Sequence, residues 1–133
     1  MSIRQTFAST PLLVVSDLRR AAEFYEKVLG YTDVAFFGEP PGFAMMHRDL
    51  HDLMLSRARA PEQVQPHGRY GVWDVHLRVR DLDAERRAIE AAGASLSTEE
   101  RLTEYGMREI TVDDPDGHRI CLGQDLVRRP EDR

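Results

Sequence analysis

Val15-Ser16-Asp17-Leu18 returns sixty-four residues later as Val79-Arg80-Asp81-Leu82, and this repeat decides the fold. Before the first copy, Thr10-Pro11-Leu12-Leu13-Val14-Val15 is a short apolar run that reads as a buried strand, with Pro11 marking it as an edge or an irregular one. After it, Ser16 and Asp17 offer an N-cap, and Leu18, Ala21, Ala22, Tyr25, Val28 and Leu29 recur at helical spacing until Gly30 stops them. Three strands are predicted next, over 31–37, 43–48 and 52–56, separated by the Gly38-Glu39-Pro40-Pro41-Gly42 turn and a break near Asp49.

The second copy sits in the same order of elements. Residues 72–79 alternate with period two, placing Val75, Leu77 and Val79 on one face and Asp74, His76 and Arg78 on the other. Asp81 caps a helix that carries Leu82, Ala84, Ala88, Ile89 and Ala92 and ends at Gly93. Strands follow over 94–101, 107–114 and 118–124, the last two joined by the Asp114-Pro115-Asp116-Gly117 turn. Internal repetition outranks local signals in choosing a fold. The expected class is therefore α+β, a single domain over 1–133 made of two βαβββ modules, 7–56 and 72–125, joined by a linker over 57–71. Their curved, largely antiparallel half-sheets form a cup with helices on the outer face.

Composition narrows the function. The chain has 133 residues, 31% of them charged, and a formal net charge of −5, which argues against a nucleic-acid partner because phosphate binding needs a basic face. A lone cysteine, Cys121, forms no internal disulfide and suits a reducing cytoplasm. The first residues, MSIRQTFAST, hold no apolar signal core, and no run approaches a membrane span, so neither secretion nor a membrane partner is expected.

The repeat, with Ala21, Phe24-Tyr25, Leu29-Gly30, Tyr105-Gly106-Met107-Arg108-Glu109-Ile110 and Asp114-Pro115-Asp116-Gly117, resembles the vicinal oxygen chelate superfamily. That superfamily includes glyoxalase I, extradiol dioxygenases, fosfomycin-resistance enzymes and bleomycin-resistance proteins. The resemblance implies four inward positions where metal-using relatives place ligands, and they fall here on Thr10, Met54, Asp74 and Cys121. The relatives offer His or Gln, Glu, His and Glu. Thr, Met, Asp and Cys give one hard anionic ligand, so no metal and no cofactor is expected from these positions. Cys121 reads as a small hydrophobe filling the place of a glutamate.

His76, two residues from Asp74 on the same strand face, is the residue that could rescue a metal site with Asp74 and Cys121, although i and i+2 lie about 7 Å apart along a strand. Arg108 and Glu109 are adjacent in a strand, so only one can face the cup. Trp73 and Tyr70 stand where the cup's rim would be, and Phe37 offers the same from the first half; aromatic rims stack flat ligands and cations. The expected lining is Phe37, Met54, Tyr70, Trp73, Asp74, His76, Glu109 and Cys121, with no catalytic residue and no metal ligand among them.

The leading expectation is a small-molecule-binding protein like the bleomycin-resistance branch, holding a cationic or aromatic ligand by sequestration without breaking a bond. The resemblance also implies a homodimer, because two chains complete the cups in such relatives and short four-stranded half-sheets leave edges to cover. The alternatives are a glyoxalase-like lyase, isomerase or dioxygenase with a non-standard metal site, and a partner-binding regulatory module whose cup is closed by Met and aromatic side chains.

Overall fold

Each copy of the repeat builds the same start. The Asp17 carboxylate accepts the Arg20 N–H at 3.1 Å and the Asp81 carboxylate accepts the Ala84 N–H at 3.0 Å, so each aspartate caps the helix that follows it. In the computed structural model, which describes residues 4–127, the first module runs β1 (Leu12–Val15), α1 (Leu18–Leu29), β2 (Thr32–Phe37), β3 (Phe43–Arg48) and β4 (His51–Arg57). The second runs β5 (Val75–Arg78), α2 (Leu82–Ala91), β6 (Thr98–Leu102), β7 (Met107–Asp113) and β8 (Arg119–Asp125). Two single 3-10 turns, Pro61–Gln63 and His67–Tyr70, lie in the connection. No helix is long and apolar enough to cross a membrane among the described residues.

The half-sheets have matching strand orders, β1-β4-β3-β2 and β5-β8-β7-β6. Each has one parallel pair, β1 with β4 or β5 with β8, and is otherwise antiparallel. The fold is the expected α+β pair of βαβββ units. Period-two alternation sends Leu13, Val15, Ala44, Met46, Leu53 and Leu55 of the first half-sheet under α1, all buried. Ile110, Val112, Ile120 and Leu122 of the second do the same with Leu82 and Ile89 of α2. The residues between them point to the opposite, cup-side face.

The modules are joined by polar contacts, most of them made by the Asp114–His118 turn. Tyr25 of α1 donates its hydroxyl proton to Asp114 Oδ2 at 2.7 Å, with both residues buried. The Ser16 N–H and hydroxyl donate to the two oxygens of Asp116, and His118 Nε2 lies 2.8 Å from the Val14 carbonyl. Arg48 pairs with Glu85 of α2 while also donating to the Leu29 carbonyl. Burial pushes the Tyr25 hydroxyl well above its usual range, with the Asp114 charge adding to it. Burial also raises the Asp114 carboxyl, against the lowering effect of the Tyr25 hydrogen bond.

Three strands start two or more residues later than the sequence pattern suggests. β5 starts at Val75 rather than at residue 72, because Gly71 takes φ 77° and the Asp74 carboxylate accepts the His67 N–H, holding 71–74 as a turn. β6 starts at Thr98 rather than Ala94, and its register with β7 shifts between Thr98 and Arg101. The first strand likewise begins at Leu12, leaving Thr10 and Pro11 outside it.

Candidate functional site

The cup-side face of the second half-sheet gathers its polar side chains from three neighbouring strands. His76 of β5 stands opposite Cys121 of β8, and Cys121 stands opposite Thr111 of β7. One step along, Glu109 of β7 stands opposite Gly123 of β8. Glu109 is only 1% exposed and Cys121 is fully buried. Glu109 Oε2 accepts the Tyr105 hydroxyl at 2.5 Å and lies 2.8 Å from His76 Nε2, which donates to it in the Nε2–H tautomer. Glu109 Oε1 is buried with no hydrogen-bond partner, and the nearest cation, Arg101 Nε, is 3.7 Å away. A buried acceptor left this way costs free energy unless something else satisfies it.

Gly123 makes room for this arrangement. A Cβ there would fall 2.9 Å from His76 Cε1, 3.0 Å from His76 Nε2 and 3.1 Å from Met107 Sδ. On its outer side the His76 ring meets Trp73 edge-on, with 5.2 Å between centroids. Burial pushes the Cys121 thiol up to about 12, with the neighbouring Glu109 charge adding to it, so at neutral pH the group is a thiol and a poor nucleophile. Arg108 points the other way, to Glu100 and Asp83, leaving Glu109 as the inward residue of the pair.

The other expected lining residues divide. Met54 sits on the cup-side face of the first half-sheet between Leu12 and Met45, and Phe37 stands on the same face opposite Phe43, 52% exposed. Tyr70 is 71% exposed on the 3-10 turn with the Arg69 guanidinium over its ring. Asp74 is the residue whose role changes most. Its carboxylate accepts the His67 N–H through both oxygens at 3.1 Å and the Arg119 N–H at 2.8 Å, so it straps the connection onto β8 and is spent as a ligand group. Tyr105, Arg101, Met107 and Gly123 join the site without having been expected there. Tyr105 belongs to the Tyr-Gly-Met stretch that carried the resemblance, but nothing in its spacing announced a bond to Glu109.

The metal positions of the relatives do not assemble. Thr10 offers a hydroxyl, Met54 a thioether and Asp74 a carboxylate already saturated by backbone donors, which leaves Cys121 alone.

Two βαβββ modules of matching strand order, with an acid–imidazole–thiol cluster on the second half-sheet, define the class of fold. The profile of the Glyoxalase/Bleomycin resistance protein/Dioxygenase superfamily matches residues 6–122, and the chain belongs to that superfamily. It is 29% identical over 136 residues to an uncharacterized protein of Mycobacterium bovis, covering 93% of this chain and 87% of that one. Among solved structures it is similar to the bleomycin resistance determinant encoded on the transposon Tn5, at a TM-score of 0.72 and 24% identity over 92% of this chain and 100% of that one. A glyoxalase-related enzyme from Clostridium phytofermentans superposes at a TM-score of 0.74 with 11% identity, covering 92% of this chain and 98% of that chain. These structural likenesses establish the fold; they leave the ligand to the site itself.

Proposed function

We propose that this protein binds a small organic molecule in its sheet cup, in the manner of a bleomycin-resistance protein, and acts by sequestration. The observation that carries the reading is the Trp73–His76–Glu109 stack, in which a half-buried indole leads inward to a buried carboxylate oxygen that still lacks a donor. An aromatic or cationic ligand lies flat against Trp73 and offers an N–H to Glu109. The acidic net charge of −5 draws such ligands in. The high thiol range of Cys121 leaves the floor without a ready nucleophile.

The same reading makes the protein a homodimer. Leu12 and Phe37 are each more than half exposed on the cup-side face of the first half-sheet. A second copy laying its half-sheet over these residues removes apolar surface from water and closes both cups. One observation favours a catalytic alternative: His76 and Tyr105 both hydrogen bond to Glu109 Oε2, the kind of shared contact through which a lyase or isomerase moves protons. A thermal-shift panel separates binding from its absence, with bleomycin and a set of flat aromatic amines as probes. The sequestration reading requires at least one of them to raise the melting temperature and be recovered unchanged. A probe that is chemically converted moves the acid–base reading to first place.

A further inference from the structure

The metal-using relatives draw ligands from four positions spread over both half-sheets, and three of those positions are useless here. The second half-sheet nevertheless brings together a different donor set. His76 Nε2 or Nδ1, a Glu109 oxygen and Cys121 Sγ all lie within 4.8 Å of one another. Glu109 and Cys121 are buried, His76 is half-buried, and Glu109 Oε1 has no hydrogen-bond partner. Only Cys121 belongs to the relatives' ligand positions; Glu109 comes from β7, and His76 stands one strand repeat beyond Asp74.

We propose that His76, Glu109 and Cys121 form a three-ligand site for a borderline divalent ion, Zn²⁺ or Co²⁺, on the second half-sheet alone. A tetrahedral zinc ion with ordinary bond lengths holds its N, O and S ligands about 3.4–3.6 Å apart. The present spacing, from a 2.8 Å His76–Glu109 contact up to the 4.8 Å limit, brackets that value, so sub-ångström to one-ångström side-chain shifts close the site. Thiolate, imidazole and carboxylate together select zinc-like ions over Mg²⁺ and Ca²⁺, which want oxygen ligands. On binding, the Cys121 proton leaves to solvent and the His76 ring proton moves to Nδ1, freeing the Nε2 lone pair for the ion. Tyr105 keeps its hydrogen bond to the carboxylate and holds it in place. The fourth position faces the cup and takes water or a ligand atom.

This site departs from the metal-free expectation raised by the four relatives' positions, because sequence spacing gave no sign that the Glu109 carboxylate reaches both His76 and Cys121. It draws on the same Glu109 carboxylate as the sequestration reading, and the two are told apart because an ion titration needs no organic ligand. The test is a Co²⁺ titration of tag-free, chelator-stripped protein at pH 8, followed by absorption. The expected result is a sulfur-to-cobalt charge-transfer band with visible bands that saturate at one equivalent, are bleached by Zn²⁺ and are untouched by Mg²⁺. Cys121→Ser should abolish the charge-transfer band, and Glu109→Gln should weaken binding by more than about tenfold, the scale already lost when only an outer partner of a ligand is removed. Met54→Leu, at a position the relatives use, should leave the titration unchanged. No saturable band in the wild-type protein overturns the proposal, and this arm does not depend on any variant folding. A band that survives Cys121→Ser, or one lost in Met54→Leu, overturns it equally.

Discussion

Replacing Gly123 by alanine tests the packing of the site without any ligand. The new Cβ would fall 2.9 Å from His76 Cε1, whereas carbon atoms in good contact sit about 3.5–4.0 Å apart. The ring must therefore move by roughly 0.6 Å or more. Such a move takes its 2.8 Å contact with Glu109 beyond the about 3.2 Å limit of a sound N–H···O bond. Trp73, packed edge-on against the ring with 5.2 Å between centroids, restricts the displacement. Overpacking of this kind costs about 1–3 kcal/mol, and a lost hydrogen bond near a buried carboxylate falls in the same range. Urea denaturation of wild type, Gly123→Ala, His76→Ala and the double variant gives the cycle. The expected outcome is a loss of about 1–3 kcal/mol for Gly123→Ala alone and under about 0.5 kcal/mol in the His76→Ala background, where the obstructing ring is gone. If the two substitutions add within about 0.5 kcal/mol, His76 does not occupy the space over Gly123 and the site geometry is wrong.

Trp73→Phe should weaken binding of any cup ligand several-fold while leaving the melting temperature of the free protein within a few degrees, since aromatic pairs contribute about 0.5–1.5 kcal/mol beyond their buried area; a variant that unfolds instead makes Trp73 a core residue. Light scattering at micromolar concentration should give a dimer mass, and a monomer at every dilution contradicts the shared cup. Cys121 should resist iodoacetamide at pH 8, because moving the thiol from 9.0 to about 12 lowers the thiolate fraction about a thousandfold; alkylation in the native state at the rate of a free thiol contradicts the buried floor. Asp114 takes a proton more readily in the folded chain than in the unfolded one, so the native state binds more protons between its ordinary and its raised range. Stability from this group is complete below the ordinary carboxylate range and is lost as pH rises through the raised folded value. The wild-type minus Asp114→Asn stability difference should fall with rising pH across that window, and a difference that rises there refutes the assignment.

The fold was legible because its evidence is repeated and local: two capping aspartates, two helices that stop at or next to a glycine, and strands whose buried residues alternate. Strand ends were less legible where tertiary bonds override alternation. The pattern through residues 72–74 fits a strand, yet the Asp74 carboxylate draws that stretch into a turn by holding the His67 N–H. The site divides in the same way. Strand parity put His76 on one face with Asp74, the family resemblance put Cys121 at an inward position, and parity left Arg108 and Glu109 as two residues of which only one could face the cup; Trp73 followed from its place at the strand start. What parity does not encode is reach. From spacing, Asp74, whose oxygens are taken by backbone donors, stands level with Glu109, whose second oxygen is not so taken. Tyr105 lies in a turn before β7, where side-chain direction depends on the turn geometry rather than on a period. Gly123 was silent for another reason: its part in the site is the absence of a side chain, and the His76 ring and Met107 sulfur lying over it give that absence a meaning.

The central claim is that the cup holds a small molecule against Trp73 and Glu109, and the indole itself reports on it because it is the chain's only tryptophan. Titration of the wild-type protein and of Glu109→Gln with bleomycin and the aromatic amines, followed by tryptophan fluorescence, tests it most directly. The account predicts a saturable change with at least one probe in the wild-type protein, and a markedly weaker affinity for the same probe once the carboxylate is neutralised. Fluorescence that no probe perturbs, or a titration that Glu109→Gln leaves unchanged, contradicts it.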